Sequence, residues 1–180
     1  MKKIVIIGPE STGKSSLCQQ LADHFGTDWV PEYAREYLKE HGTSYKYEDL
    51  LTIAKGQVAL EEKYAASFPQ KFPPDGPLFI DTDLYVMKVW CEFVFYRCHQ
   101  WILDNIVTRK YDLYLLCNID LPWVMDELRE YPDLVSRQQL YHIYKDIMIN
   151  QAVPWVDISG DYDQRFHRAK DAVKKLMGSL

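Results

Sequence analysis

No apolar run in this 180-residue chain is long enough to cross a bilayer, and no Cys-x-x-Cys pair occurs. A spanning helix needs roughly 20 mostly apolar residues. The apolar run behind Met1-Lys2-Lys3 stops at Gly8-Pro9, which is also too short for a signal peptide. Four cysteines, Cys18, Cys91, Cys98 and Cys117, are scattered, and no Cys/His spacing matches a zinc site. They read as reduced core thiols of a cytoplasmic protein. Positive charge is also short: 21 Lys and Arg stand against 26 Asp and Glu, for a net charge of -5. No global basic field invites nucleic acid or an anionic membrane, and neither is expected as a partner. Repeats and low-complexity segments are missing too. What is present is a 47% hydrophobic fraction in a chain of one-domain length, enough for a sizeable core.

The stretch around which the chain is organised is Gly8-Pro9-Glu10-Ser11-Thr12-Gly13-Lys14-Ser15. It reads G-x-x-x-x-G-K-S, the P-loop pattern. Ile4-Val5-Ile6-Ile7 before it has the composition of a strand buried on both faces. Leu17, Leu21 and Phe25 after it are spaced four apart, as on one face of a helix ending near Gly26. A strand–loop–helix of this kind turns successive backbone N–H groups toward one anion at a helix N-terminus. Gly8, Glu10, Ser11, Thr12, Gly13, Lys14, Ser15 and Ser16 are therefore the expected ATP-binding residues. Lys14 would bridge phosphate oxygens, and the Ser15 hydroxyl would ligate Mg²⁺.

The rest of the chain alternates strand and helix. Trp29-Val30 is a short second strand that delivers Glu32, Tyr33 and Arg35 to the ligand-binding edge of an open α/β sheet. Glu32 and Arg35 equally fit ordinary i,i+3 pairing on the following helix. That helix should stop at Gly42, and a longer one should run through Leu50, Ile53, Gln57, Leu60 and Tyr64. Gln57 interrupts its apolar stripe. Pro69 to Pro77 reads as a loop. Leu78-Phe79-Ile80-Asp81 ends an apolar strand on an acid, the Walker-B pattern, which carries Asp81 toward the metal beside the P-loop. Asp83 is either a site carboxylate or the cap of the next helix.

Residues Leu84 to Thr108 read as one helix holding Trp90. Tyr111 to Cys117 is a fourth strand. Asn118-Ile119-Asp120 partly matches the guanine-reading N-K-x-D but lacks its lysine, which argues against guanine. A segment near 122–138 with Arg129 and Arg137 is either a lid over the phosphates or a solvated helix with surface salt bridges. Val153 to Ile158 is a fifth strand, placed at an edge by Pro154. The expected fold class is α/β: a P-loop NTPase-type three-layer sandwich with a five-stranded parallel sheet and helices on both faces. Residues 1–180 form one such domain.

In their order, Gly8 to Ser15, Glu32-Tyr33-Ala34-Arg35-Glu36, Phe79-Ile80-Asp81-Thr82-Asp83, Trp123 to Arg129, Arg137-Gln138-Gln139 and Asp161 to Arg165 resemble NadR-type ribosylnicotinamide kinase domains. The resemblance covers nearly the whole chain. It implies ATP-dependent phosphorylation of nicotinamide riboside to nicotinamide mononucleotide, with Mg²⁺ as cofactor. It also implies that any adenylyl transfer of the kind carried by longer relatives comes from another polypeptide. On this reading Arg129 and Arg137 neutralise the transferred phosphoryl group, Asp81 supports Mg²⁺, and Glu32 or Asp83 orients the acceptor hydroxyl, Glu32 being favoured. Arg35, Tyr33 and Trp90 complete the expected nucleoside site. Two alternatives accompany it: another P-loop nucleoside or nucleotide kinase, and an ATP-binding switch.

Overall fold

The structure, a computed structural model, describes residues 1–178. Its elements run in the order β1 (Lys2–Ile7), α1 (Lys14–Phe25), β2 (Trp29–Val30), α2 (Tyr33–His41), α3 (Tyr47–Lys71), β3 (Pro77–Asp81) and α4 (Leu84–Phe95). There follow α5 (Gln100–Thr108), β4 (Leu113–Cys117), α6 (Leu134–Asn150), β5 (Trp155–Ile158) and α7 (Tyr162–Met177). The five strands make one sheet in the order β2-β3-β1-β4-β5, and every pairing is parallel. β1 lies at its centre, between β3 and β4. This places the end of β1, and the loop that follows, at the switch point where open parallel sheets hold ligands.

The central strand explains its own position. Ile4, Val5, Ile6 and Ile7 are all fully buried. Ile4 and Ile6 enter one core with Leu17 and Leu21 of α1 and Ala169 and Val173 of α7. Val5 and Ile7 enter the opposite core with Phe68 of α3, Val89 of α4, and Leu140 and Tyr144 of α6. Alternation across the strand feeds both faces, and each buried aliphatic chain is worth about 1.5–3 kcal/mol relative to exposure. A third cluster joins α2, α3, α4 and α5 through Ala34, Leu50, Ile53, Met87 and Ile102. β5 is an edge strand, as Pro154 predicts, and the Pro154 carbonyl still accepts from Tyr114 N at 2.9 Å.

β4 and β5 each begin two residues later than the sequence reading, and two helices differ from it more. α3 continues through Pro69 to Lys71, where a loop is expected. The proline forgoes one i→i−4 bond, to the Ala65 carbonyl, and the helix ends two residues later. The expected single helix from Leu84 to Thr108 is two helices, broken where Tyr96 adopts left-handed backbone at φ 56°. Neither glycine nor proline marks the break. Its cause is tertiary: the His99 ring stacks on Tyr47 at 3.7 Å, and its Nε2 lies 2.9 Å from the Tyr47 carbonyl. The Arg97 guanidinium sits over the same Tyr47 ring at 3.9 Å.

Candidate active site

The loop between β1 and α1 is shaped by glycines at backbone angles that side-chain-bearing residues rarely adopt. Gly8 has φ 138°, and a Cβ there would stand 2.6 Å from the Cys117 carbonyl oxygen of β4. Gly13 has φ 77° and forms the N-cap of α1 without a side-chain cap among the described residues. The first amides of α1 are therefore open toward any anion in the loop, with the helix dipole behind them. Thr12 is buried, and its hydroxyl donates to the Pro9 carbonyl at 2.7 Å. Lys14 Nζ donates to the same carbonyl at 2.9 Å.

A cavity of about 220 Å³ opens over this loop. Its wall takes every residue from Gly8 to Ser16, then Glu32 and Arg35 after β2, Trp90 of α4, and Leu128 to Tyr131 before α6. Asp81, at the end of β3, lies beneath it. Ser15 Oγ donates to Asp81 Oδ2 at 2.5 Å, while Asp81 Oδ1 is buried with no hydrogen-bond partner among the described residues. Burial raises the Asp81 carboxyl well above its ordinary range, and the nearby Glu32 charge raises it further, against the pull of Lys14. An orphaned buried carboxylate oxygen beside a hydroxyl is what a hard divalent cation would satisfy. The donor set is all oxygen, which suits Mg²⁺, and phosphate and water would complete its shell. Among the described residues no three His, Cys, Asp or Glu side chains gather as a self-sufficient metal site.

The segment between Leu121 and Asp133 is neither helix nor strand, and it lies on the P-loop. Val124 N donates to Ser11 Oγ at 2.9 Å, and Arg129 Nη1 donates to the same hydroxyl at 3.2 Å. Glu130 N donates to Glu10 Oε1 at 2.9 Å, and Tyr131 N donates to the same oxygen. Burial pushes the Glu10 carboxyl up, and these amide bonds partly offset that. Arg35 Nη2 meets Asp126 Oδ2 at 2.5 Å, so its partner lies in the segment between Leu121 and Asp133 and is not Glu32 at the N-cap of its own helix. Tyr45 donates to Glu130 at 2.8 Å and accepts from Trp90 Nε1 at 2.8 Å.

Three expected site residues are placed elsewhere. Asp83 is buried at the N-cap of α4, and both its oxygens are engaged: Oδ1 accepts from Tyr85 N at 2.9 Å and Oδ2 from Tyr114 Oη at 2.7 Å. Burial pushes its carboxyl up to about 7. The Tyr33 ring packs against Gly56 of α3, so closely that a Cβ there would stand 2.1 Å from it. Arg137 belongs to α6 and turns Nη2 toward the carbonyls of Ile119, at 3.3 Å, and Leu121, at 3.1 Å. Packing, helix capping and backbone carbonyls claim these side chains before the cavity does. The partial N-K-x-D match is likewise occupied: Asp120 bonds Arg165 and Gly160 N.

Gln57 and Tyr45 carry more of the site than their sequence context suggests. Gln57 is 3% exposed. Its Oε1 accepts from Tyr33 N at 2.7 Å, and its Nε2 lies 3.4 Å from the carbonyls of Pro31, Asp81 and Thr82. It thus ties the ends of β2 and β3 together, including Thr82 at φ 67°. The polar interruption in an otherwise apolar helix stripe was the signal. Gln57→Leu leaves these groups unpaired in the core and is expected to cost about 1–3 kcal/mol. A lower urea midpoint with an unchanged m-value would show it.

A parallel sheet with a central P-loop, an acid-tipped neighbouring strand and a cavity over both defines a P-loop nucleotide-binding protein with the fold of small kinases. The chain belongs to the AAA domain family, whose sequence model matches residues 3–165. It is 30% identical over 183 aligned residues to the trifunctional NAD biosynthesis/regulator protein NadR of Salmonella typhimurium LT2, and equally to that of Escherichia coli K12. The alignment takes in 99% of this chain but 43% of each relative, so the chain spans under half their length. Among solved structures, a NadR protein in complex with NR superposes with a TM-score of 0.80 at 24% identity, over 98% of this chain and 50% of that one. Thymidylate kinase from Candida albicans superposes with a TM-score of 0.66 at 16% identity, over 98% and 93%. The resemblance to NadR read from the motifs thus extends over the full chain, and the fold class stands as expected. No helix among the described residues is long and apolar enough to cross a membrane.

Proposed function

We propose that the chain transfers the γ-phosphoryl group of ATP to the 5′-hydroxyl of nicotinamide riboside, giving nicotinamide mononucleotide and ADP. The observation that carries this reading is the single cavity wall on which the P-loop, Glu32, Trp90 and the Arg129 segment meet. The likeness to a NadR protein solved in complex with NR supports the choice of acceptor.

The P-loop amides and Lys14 hold the β- and γ-phosphates, with Lys14 leaving the Pro9 carbonyl to do so. Tyr162 lies beside Gly13, 3.6 Å from where a Cβ would stand, half exposed, and suits the adenine ring. Ser15 and Asp81 would hold Mg²⁺, which lends positive charge to the phosphoryl oxygens when bound. Arg129, already at Ser11, neutralises charge on the transferring group. Glu32 faces the cavity, and its carboxylate carries no hydrogen bond among the described residues. It is therefore free to orient the acceptor hydroxyl and take its proton.

The acceptor side favours a nucleoside over a nucleotide. Its arginine, Arg35, is paired with Asp126, and Glu32 and Glu130 stand nearby on the wall. That balance suits a neutral 5′-hydroxyl on a cationic ring and disfavours an incoming phosphate. Residues 122–138 act as a lid of the single domain, fastened through Glu10, Ser11 and Arg35. The small-molecule acceptor and ATP are its partners; nucleic acid is not. The test is ADP formation with a panel of nucleosides and nucleoside monophosphates, with Mg²⁺ present. ADP should appear with nicotinamide riboside and stay near background without acceptor. Faster turnover of thymidine, uridine or a monophosphate would reassign the acceptor. Acceptor-independent turnover would favour a switch.

A further inference from the structure

Arg165, on the first turn of α7, takes no part in the cavity wall yet is 3% exposed beside it. Its guanidinium joins three loops at the carboxyl end of the sheet. Nε donates to the Gly160 carbonyl at 2.8 Å, Nη1 to the Thr12 carbonyl at 2.8 Å, and Nη2 to the Asn118 carbonyl at 2.7 Å and to Asp120 Oδ1. Asp120 Oδ2 accepts from Gly160 N at 2.5 Å, so the counter-charge is itself anchored. Only a planar, permanently charged fork with five donors can serve that many acceptors at once.

One of those bonds reaches into the P-loop. The peptide between Thr12 and Gly13 is planar and trans, so its C=O and N–H point in opposite directions. Arg165 draws the Thr12 oxygen outward to the α7 side. The Gly13 N–H must then face the concave side of the loop, where a phosphate would sit. Gly13, at φ 77° and without a Cβ, leaves this peptide free to rotate unless something outside the loop fixes it.

We infer that Arg165 is a positioning residue that presets the Thr12–Gly13 peptide for phosphate binding. The inference rests on the phosphate reading of the cavity and goes beyond it. Fixing the donor before the ligand arrives removes a reorganisation cost from binding.

The test is calorimetric titration of the full chain with Mg-ADP and, separately, with inorganic tripolyphosphate and Mg²⁺, below the unfolding temperature of every variant. Arg165→Lys keeps the charge but loses the fork. It should weaken both ligands by about tenfold to a hundredfold, the worth of a charged hydrogen bond. The KM for the nucleoside acceptor should stay close to wild type, which general destabilisation by itself does not explain. Asp120→Asn loosens the anchor and should shift both affinities in the same direction by about twofold to tenfold. Should Arg165→Lys fail to fold, Asp120→Asn decides between the outcomes, since the Asp120 side chain is 37% exposed. Unchanged tripolyphosphate binding in the folded variant would overturn the inference, as would a loss confined to Mg-ADP. A wild-type protein that binds neither ligand would overturn the phosphate reading, and this inference with it.

Discussion

Lys14→Ala is expected to lower the rate of phosphoryl transfer by at least about 10²–10³ while the protein stays folded. The size follows from what the ammonium does. It is a point charge at the mouth of a loop whose other donors are neutral amides, and on the proposed reading it acts where phosphate charge is densest. The fold should survive because Lys14 holds nothing else together: its hydrogen bond is to the Pro9 carbonyl in its own loop, and the chain is only part-buried there. Glu10 and Asp81 each lose a favourable neighbouring charge, which leaves no hydrogen bond in the core unmade. Steady-state kinetics with saturating acceptor, paired with a thermal melt, checks both halves. A variant that keeps more than about a tenth of wild-type kcat would remove Lys14 from the transition state.

Glu32→Gln and Asp83→Ala separate the two carboxylates that sequence alone leaves as rivals. Glu32→Gln keeps the shape but not the basicity, so kcat should fall by about 10²–10⁴ with a much smaller change in acceptor KM. Asp83→Ala should do the reverse. It removes the cap of α4 and leaves the Tyr114 hydroxyl unpaired in the core, at a cost of about 1–3 kcal/mol. For a chain of this size that is a Tm drop of about 2–12 °C. Its kcat, measured below that temperature, should remain near wild type. If Asp83→Ala loses turnover while Glu32→Gln keeps it, the roles are exchanged and the acceptor lies deeper than the cavity described above.

Much of this site was readable from the chain because its chemistry is local. Gly8 to Ser15 are consecutive, and the loop they make depends on glycine conformations and a following helix that neighbouring residues dictate. Asp81 was readable because an apolar strand ending on an acid, a weak signal alone, gains its meaning once a P-loop stands in the same chain. The strand at the sheet edge announced itself through Pro154. What escaped was set by partners far along the chain. Tyr45 meets Glu130 across 85 residues, and Arg165 reaches Thr12 across 153. Asp83 and Arg137 carry the right charge for catalysis, but a helix cap and two backbone carbonyls take them first. Charge type is visible in a sequence; competition for it is a property of packing. The same holds for Tyr96, whose turn is fixed by His99 stacking on Tyr47 and by no local breaker.

The segment between Leu121 and Asp133 is held by the P-loop's own side chains. Glu10 and Ser11 are P-loop residues that do not follow from phosphate binding alone, yet between them they receive Val124 N, Glu130 N, Tyr131 N and Arg129. On the proposed reading, the loop that grips the nucleotide is thereby the same loop that seats the segment between Leu121 and Asp133. On that reading, nucleotide occupancy and the seating of this segment are coupled through one loop, whose amides would grip phosphate while its Glu10 and Ser11 side chains hold the segment.

Phosphorus NMR of a reaction containing the protein, Mg-ATP and nicotinamide riboside probes the phosphoryl transfer itself. The γ-phosphate signal of ATP should decay as a single phosphomonoester signal grows, coupled to the C5′ protons of the riboside, one equivalent for each ADP formed. Loss of the γ-phosphate to inorganic phosphate, with the riboside unchanged, would contradict the proposed transfer.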